Sequence, residues 1–124
     1  MPDDAKTRRT VARNGRVLVV DDDRETAEEA CELLTSAGYP AYSEANPEAV
    51  LDHLKTDRSV GLLLSDVRMP TLGGVELATR IKKDRELQPI PIILLSGVST
   101  RDTVIDAMRV GVSDFLIKPL EPES

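Results

Sequence analysis

Four apolar runs in this sequence end in groups that can do chemistry. Leu62-Leu63-Leu64-Ser65 stops at Asp66, with Val67-Arg68-Met69-Pro70 behind it. Val17-Leu18-Val19-Val20 stops at Asp21-Asp22-Asp23, and Ile92-Ile93-Leu94-Leu95 stops at Ser96-Gly97. The fourth, Phe115-Leu116-Ile117, stops at Lys118-Pro119. Clustered carboxylates repel one another unless a cation neutralises them, and oxygen ligands with room for water suit Mg²⁺. With a metal present, one carboxylate can act as nucleophile toward phosphorus and form an acyl phosphate. A lysine and a hydroxyl then supply charge and a hydrogen bond to the phosphoryl oxygens. Each piece alone is common in solvated loops. Their joint placement at the ends of four runs carries the argument.

Such runs suit strands buried on both faces, as in parallel sheets, whose ligand sites lie at the carboxyl ends of the strands. The pattern predicts strands at 16–20, 41–44, 61–65, 92–95 and 114–117. Between them it predicts helices at 24–37, 47–56, 75–86 and 100–110. Asp23 is expected to cap the first helix and Gly38 to end it in a left-handed turn. Asn46-Pro47 should start the second helix. Gly73 and Gly74 should give the loop 69–74 backbone shapes closed to other residues. Ser99-x-x-Asp102 reads as a capping box, with Val104, Ile105 and Met108 inside the helix that follows. Strands alternating with helices indicate a doubly wound α/β domain with right-handed crossovers.

Composition narrows the function classes. The 124 residues make one domain, and with two tyrosines, one phenylalanine and no tryptophan its core must be aliphatic. A net charge of −6 argues against direct nucleic-acid binding by this segment. The single cysteine, Cys31, allows no internal disulfide, which fits a cytoplasmic protein, and its spacing with Ala27, Ala30 and Leu34 reads as a buried structural thiol. His53, between Leu51 and Leu54, reads as packing rather than catalysis. No run reaches the ~18–20 apolar residues of a membrane span.

With these residues assembled, the sequence resembles the receiver domains of two-component response regulators, over residues 16–120. The resemblance implies a five-stranded, flavodoxin-like receiver fold of strand order 2-1-3-4-5, with the last helix absent from the chain. It makes Asp66 the phospho-acceptor and Mg²⁺ the cofactor, held by Asp22, by Asp21 through a water, by Asp66 and by the carbonyl of Arg68. Ser96 becomes the switch hydroxyl, Gly97 the small residue beside the phosphate, and Lys118 the phosphoryl partner with a cis bond to Pro119. Phe115 becomes the ring that moves inward when Ser96 is recruited. The Arg68 side chain either lies over the phosphoryl group or is solvated. The implied partners are a sensor histidine kinase or phosphotransfer protein and a C-terminal output domain or effector, with a homodimer as a further state. The face formed by helix 100–110 and strand 114–117 would carry the signal.

On this reading residues 1–14 are a polar N-terminal tail, 15–120 the receiver, and 121–124 the start of a truncated helix or linker. One sheet face would then carry only the first helix. Leaving ~400 Å² of it bare would cost roughly 10 kcal/mol, so a cut fragment, self-association or the N-terminal tail is expected to account for it. Two other functions fit parts of the pattern. A receiver that works only as an interaction module, without phosphorylation, would keep the fold. A haloacid-dehalogenase-type phosphatase would use Asp21 as nucleophile and Asp23 as its second acid, but would leave Asp66 without a role.

Overall fold

A computed structural model describes residues 15–97 and 100–118. Expectations that fall on residues 1–14, Ser99, Pro119 and 121–124 lie outside the described residues.

The apolar runs form five parallel strands. β1 (Arg16–Val20), β2 (Ala41–Glu44), β3 (Val60–Asp66), β4 (Ile92–Ser96) and β5 (Asp114–Ile117) lie in the order β2-β1-β3-β4-β5. Parallel neighbours need crossovers, and four helices supply them: α1 (Arg24–Ser36), α2 (Val50–Thr56), α3 (Gly74–Lys83) and α4 (Arg101–Val110). None of the described helices is long and apolar enough to cross a membrane.

Register decides where the strand ends fall. Val20 pairs with Ser65, Asp66 with Leu95, and Ser96 with Ile117. The residues following β1 and β5 therefore emerge beside Asp66 at one edge of the sheet.

The period-2 alternation of strand side chains divides the core in two. Leu18, Val20, Leu63, Ile92 and Leu94 face Val50 and Leu54 of α2, Leu77, Ala78 and Ile81 of α3, and Ala107 of α4. On the other face Val17, Val19, Leu64 and Leu95 meet Ala27 and Ala30 of α1, the only helix on that face among the described residues. Leu62, Ile93 and Leu116 on that face are only partly buried.

Local chemistry explains the helix boundaries. The Asp23 carboxylate accepts from the amides of Glu25 and Thr26 at 3.1 and 3.4 Å, the N-cap expected for α1. At the other end Gly38 takes φ +98° and closes the helix. The second helix is shorter than expected: Pro47–Ala49 forms a 3₁₀ turn, capped by Asn46, before the α-helix begins. α3 ends at Lys83 rather than 86 because the Asp84 carboxylate takes the amides of Glu86 and Leu87 at 2.9 and 3.2 Å, drawing the backbone out of the helix.

Four further expectations need correction. The N-cap of α4 is Thr100 rather than Ser99, its hydroxyl accepting from the Thr103 amide at 3.2 Å. Met108 is half exposed rather than inside, since α4 meets the sheet near its short last strand and buries a narrow stripe centred on Ala107. Cys31 is partly rather than fully buried, because no second described helix flanks α1 on that face. Gly73 and Gly74 have ordinary negative φ, so they are not needed for backbone shape. Gly74 is needed for space: a Cβ there would come within 2.3 Å of the Asp66 carbonyl oxygen. His53 is part of a polar cluster, sharing a 2.8 Å hydrogen bond with the Tyr42 hydroxyl, in keeping with a packing role.

Candidate functional site: an acidic cluster and one ammonium

Strand register brings Asp21 and Asp66 together, and the turn into α1 adds Asp22. Carboxylate oxygens of the three lie within 4.8 Å of one another. Asp21 and Asp66 are buried, whereas Asp22 is exposed at the mouth. The donor set consists of hard oxygens, partly open to water, which fits a small divalent cation such as Mg²⁺.

Lys118 arrives from the end of β5. Its Nζ lies 3.1 Å from Asp21 Oδ2 and 3.2 Å from Asp66 Oδ1. Its own amide donates to the Ser96 carbonyl at 2.9 Å, tying the end of β5 to the end of β4. The ammonium thus bridges two carboxylates that would otherwise repel across a poorly solvated gap.

The electrostatics follow from burial. Burial pushes the Asp66 carboxyl above its usual range; Lys118 opposes that rise and Asp21 adds to it. Burial also works against the charge on Lys118, but the bonds to Asp21 and Asp66 outweigh it and hold the ammonium above the ordinary lysine value. Backbone amides fix the remaining orientation. The Asp23 amide donates to Asp21 Oδ1 at 2.9 Å, and the Val67 amide to Asp66 Oδ1 at 3.0 Å.

Of the other expected residues, Ser96, Gly97 and Arg68 lie at the same edge, whereas Phe115 lies farther back in β5. Ser96 is almost fully buried at the end of β4, and Gly97 follows it, exposed, with open space where a side chain would be. Arg68 is exposed two residues after Asp66. Phe115 packs from the next strand against the core shared with α2, α3 and α4. A cleft of about 270 Å³ on the α1 side, lined by Val19, Ala30, Leu33 and Leu95, opens onto Asp21 and Lys118. Asp23 is engaged at the helix terminus, so it is not available as a second acid beside Asp21.

The roles of two residues of the site were missed in the sequence. Ser65, with no exposed surface, donates its hydroxyl to the Asp66 carbonyl at 3.0 Å, and Gly74 abuts the same carbonyl. A lone serine within an apolar run was the only available sign of the first.

An α/β domain with two buried acids and a lysine at the carboxyl edge of a 2-1-3-4-5 sheet has clear relatives. Residues 17–124 match the model of the response regulator receiver domain, and the chain belongs to that family. It is 38% identical over 109 residues to the transcriptional regulatory protein FixJ of Bradyrhizobium diazoefficiens, covering 88% of this chain and 52% of FixJ. It is 33% identical over 106 residues to the two-component response regulator ORR3 of Oryza sativa, covering 86% of this chain and 81% of ORR3. Among solved structures, a response regulator receiver protein from Pseudomonas putida superposes with TM-score 0.81 at 32% identity, covering 89% of this chain and 90% of that one. The chain thus spans about half the length of FixJ and most of ORR3. Receiver domains are signal transducers.

Proposed function

We propose that this receiver works by phosphorylation: Asp66 takes a phosphoryl group from a histidine kinase or phosphotransfer protein and so controls an output domain or partner. The observation that carries this is the Lys118 ammonium held between Asp21 and Asp66, with Asp22 beside them. Asp66 is the nucleophile: an oxygen of its carboxylate forms the new bond to phosphorus as the bond to the donor's imidazole nitrogen breaks. Asp21, Asp22, Asp66 and the Arg68 carbonyl would hold Mg²⁺, which when bound neutralises charge on the phosphoryl oxygens. Lys118 transfers one of its contacts from Asp66 to a phosphoryl oxygen. Ser96 donates its hydroxyl to another, and Gly97 leaves the space that the group requires.

Recruiting Ser96 and Lys118 pulls on the ends of β4 and β5, and Phe115 moves into the space released. The face made by α4 and β5 then differs between the two states, and partners read the difference there. We assign to the exposed Arg68 the role of slowing attack by water on the acyl phosphate, so that loss of the phosphoryl group is slow and the chain has no catalytic turnover beyond it. Residues 15–120 form the receiver. FixJ is by name a transcriptional regulator, and control of transcription is the output we assign. The setting is cytoplasmic, without direct nucleic-acid contact by this acidic segment.

The test is intact-mass spectrometry after incubation with Mg²⁺ and acetyl phosphate, on wild type and Asp66→Asn. The expected result is a hydroxylamine-labile gain of one phosphoryl group (about 80 Da), absent from the variant. Label that persists in Asp66→Asn moves the nucleophile to Asp21–Asp23. A folded, Mg²⁺-binding chain that takes no label is an interaction module instead.

A further inference from the structure

The peptide that follows Asp66 is held from three directions, and two of the groups that hold it come from residues without chemistry of their own. Ser65, fully buried, points its hydroxyl along the chain to the Asp66 carbonyl at 3.0 Å. A buried serine in an apolar strand costs free energy unless its hydroxyl is used, and this is the bond that uses it. From the second direction, the start of α3 presses on the same carbonyl. A Cβ on Gly74 would lie 2.3 Å from the Asp66 oxygen, 3.1 Å from its carbonyl carbon and 3.1 Å from Val67 Cα. These are backbone atoms, which cannot step aside as a side chain can. The Gly74 amide donates in turn to the Val67 carbonyl at 2.8 Å. From the third direction, the Val67 amide is shared between the Leu95 carbonyl at 2.8 Å and Asp66 Oδ1 at 3.0 Å. Turning this peptide therefore turns the carboxylate. Met69 and Leu72, both buried in the core, hold the loop between the strand and α3.

We propose that Ser65 and Gly74 are positioning residues, which clamp the Asp66–Val67 peptide and thereby aim the Asp66 carboxylate at Lys118 and the incoming phosphorus. This rests on the reading of Asp66 as acceptor. A methyl group at 74 has to displace the Asp66 peptide or the first turn of α3 by a good fraction of an ångström. Misplacement on the order of 1 Å costs up to about 100-fold in rate where reaction depends on alignment.

The experiment compares wild type, Ser65→Ala, Gly74→Ala and Gly38→Ala. The last strains a left-handed turn at the end of α1, where no atom lies within 4 Å of the added methyl, and so lowers stability without touching the site. Two quantities are read for each folded protein: the rate of phosphoryl uptake from acetyl phosphate with Mg²⁺, and the titration midpoint of the Asp66 carboxyl by carbon-13 NMR. The expected result is uptake slowed about tenfold or more in Gly74→Ala and several-fold in Ser65→Ala, with the midpoint displaced in both. Gly38→Ala keeps both wild-type values despite its lower Tm. Wild-type rate and midpoint in folded Ser65→Ala and Gly74→Ala overturn the proposal. If Gly74→Ala does not fold, Ser65→Ala decides by the same two readouts. A wild type that takes no label refutes the acceptor reading instead, and the carboxyl midpoints still judge the clamp.

Discussion

Replacing Lys118 with methionine keeps an unbranched apolar stem and removes only the ammonium. The wild-type cluster holds three carboxylates and one ammonium, a net charge of −2 when all are ionised; the variant holds −3. At ~3 Å and an effective dielectric constant near 20, each contact to Asp21 and Asp66 is worth roughly 5 kcal/mol of gross attraction. Desolvation of the ammonium cancels much of that, and removing one partner of a buried pair typically costs 3–5 kcal/mol. Lys118 keeps 24% of its side-chain surface in contact with solvent, so screening trims the figure. We expect a loss of about 2–3 kcal/mol in metal-free buffer near neutral pH, or roughly 10–15 °C in Tm for a domain of this size. The loss should shrink on acidification, because burial already raises the Asp66 carboxyl and protonating it relieves the uncompensated charge. A divalent cation should relieve it as well. Mg²⁺ at a hundred times its Kd stabilises any binder by about 2.7 kcal/mol, and the variant, with no ammonium competing for the carboxylates, should bind Mg²⁺ more tightly than wild type. The assay is thermal unfolding by far-ultraviolet circular dichroism in EDTA and in saturating Mg²⁺, with calorimetric titration of Mg²⁺. Equal Tm losses with and without Mg²⁺, or no loss in EDTA, would refute the reasoning.

Three further outcomes follow from the same geometry. Phosphoryl uptake from a small donor should fall away on the acid side at a pH above the ordinary carboxylate range, since the nucleophile must be ionised and burial raises Asp66; a profile falling only near the free-aspartate value contradicts this. Asp57 is held below the usual carboxylate range by the Ser59 and Tyr42 hydroxyls, with Arg16 adding to the effect. An acid with a lowered folded pKa contributes stability above its unfolded value that disappears as pH falls through the folded one. Asp57→Asn should therefore lower Tm at neutral pH and converge with wild type in strong acid, as read from Tm against pH. On α4, Met108→Lys should change stability by no more than about 0.5 kcal/mol, whereas Ala107→Leu, overfilling a site with no exposed surface, should cost about 1–3 kcal/mol in urea unfolding.

The acids, lysine and hydroxyl of the site were legible in the sequence because each ends an apolar run, and a parallel sheet delivers run ends to one edge. Val17–Val20 and Leu62–Ser65 needed no tertiary knowledge to be read as strands, and the pairing of Val20 with Ser65 then leaves Asp21 beside Asp66. Chemistry that depends on distance was not legible in this way. Gly74 looks in sequence like a residue chosen for backbone freedom, yet its φ is ordinary and its role is to leave room for the Asp66 carbonyl, which only the docking of α3 reveals. Ser65 is hidden for a related reason, since an alternating or a continuous run says nothing about where a hydroxyl points. Met108 fails for the converse reason: helical periodicity marks the apolar face of α4, but the width of sheet beneath it decides how much is covered. A carboxylate made reactive by position has to be held by something rigid. In the clamp proposed above the rigid parts are a serine and a glycine, residue types whose spacing carries no signal, so the groups proposed to react can be read ahead of the structure and the groups proposed to aim them cannot.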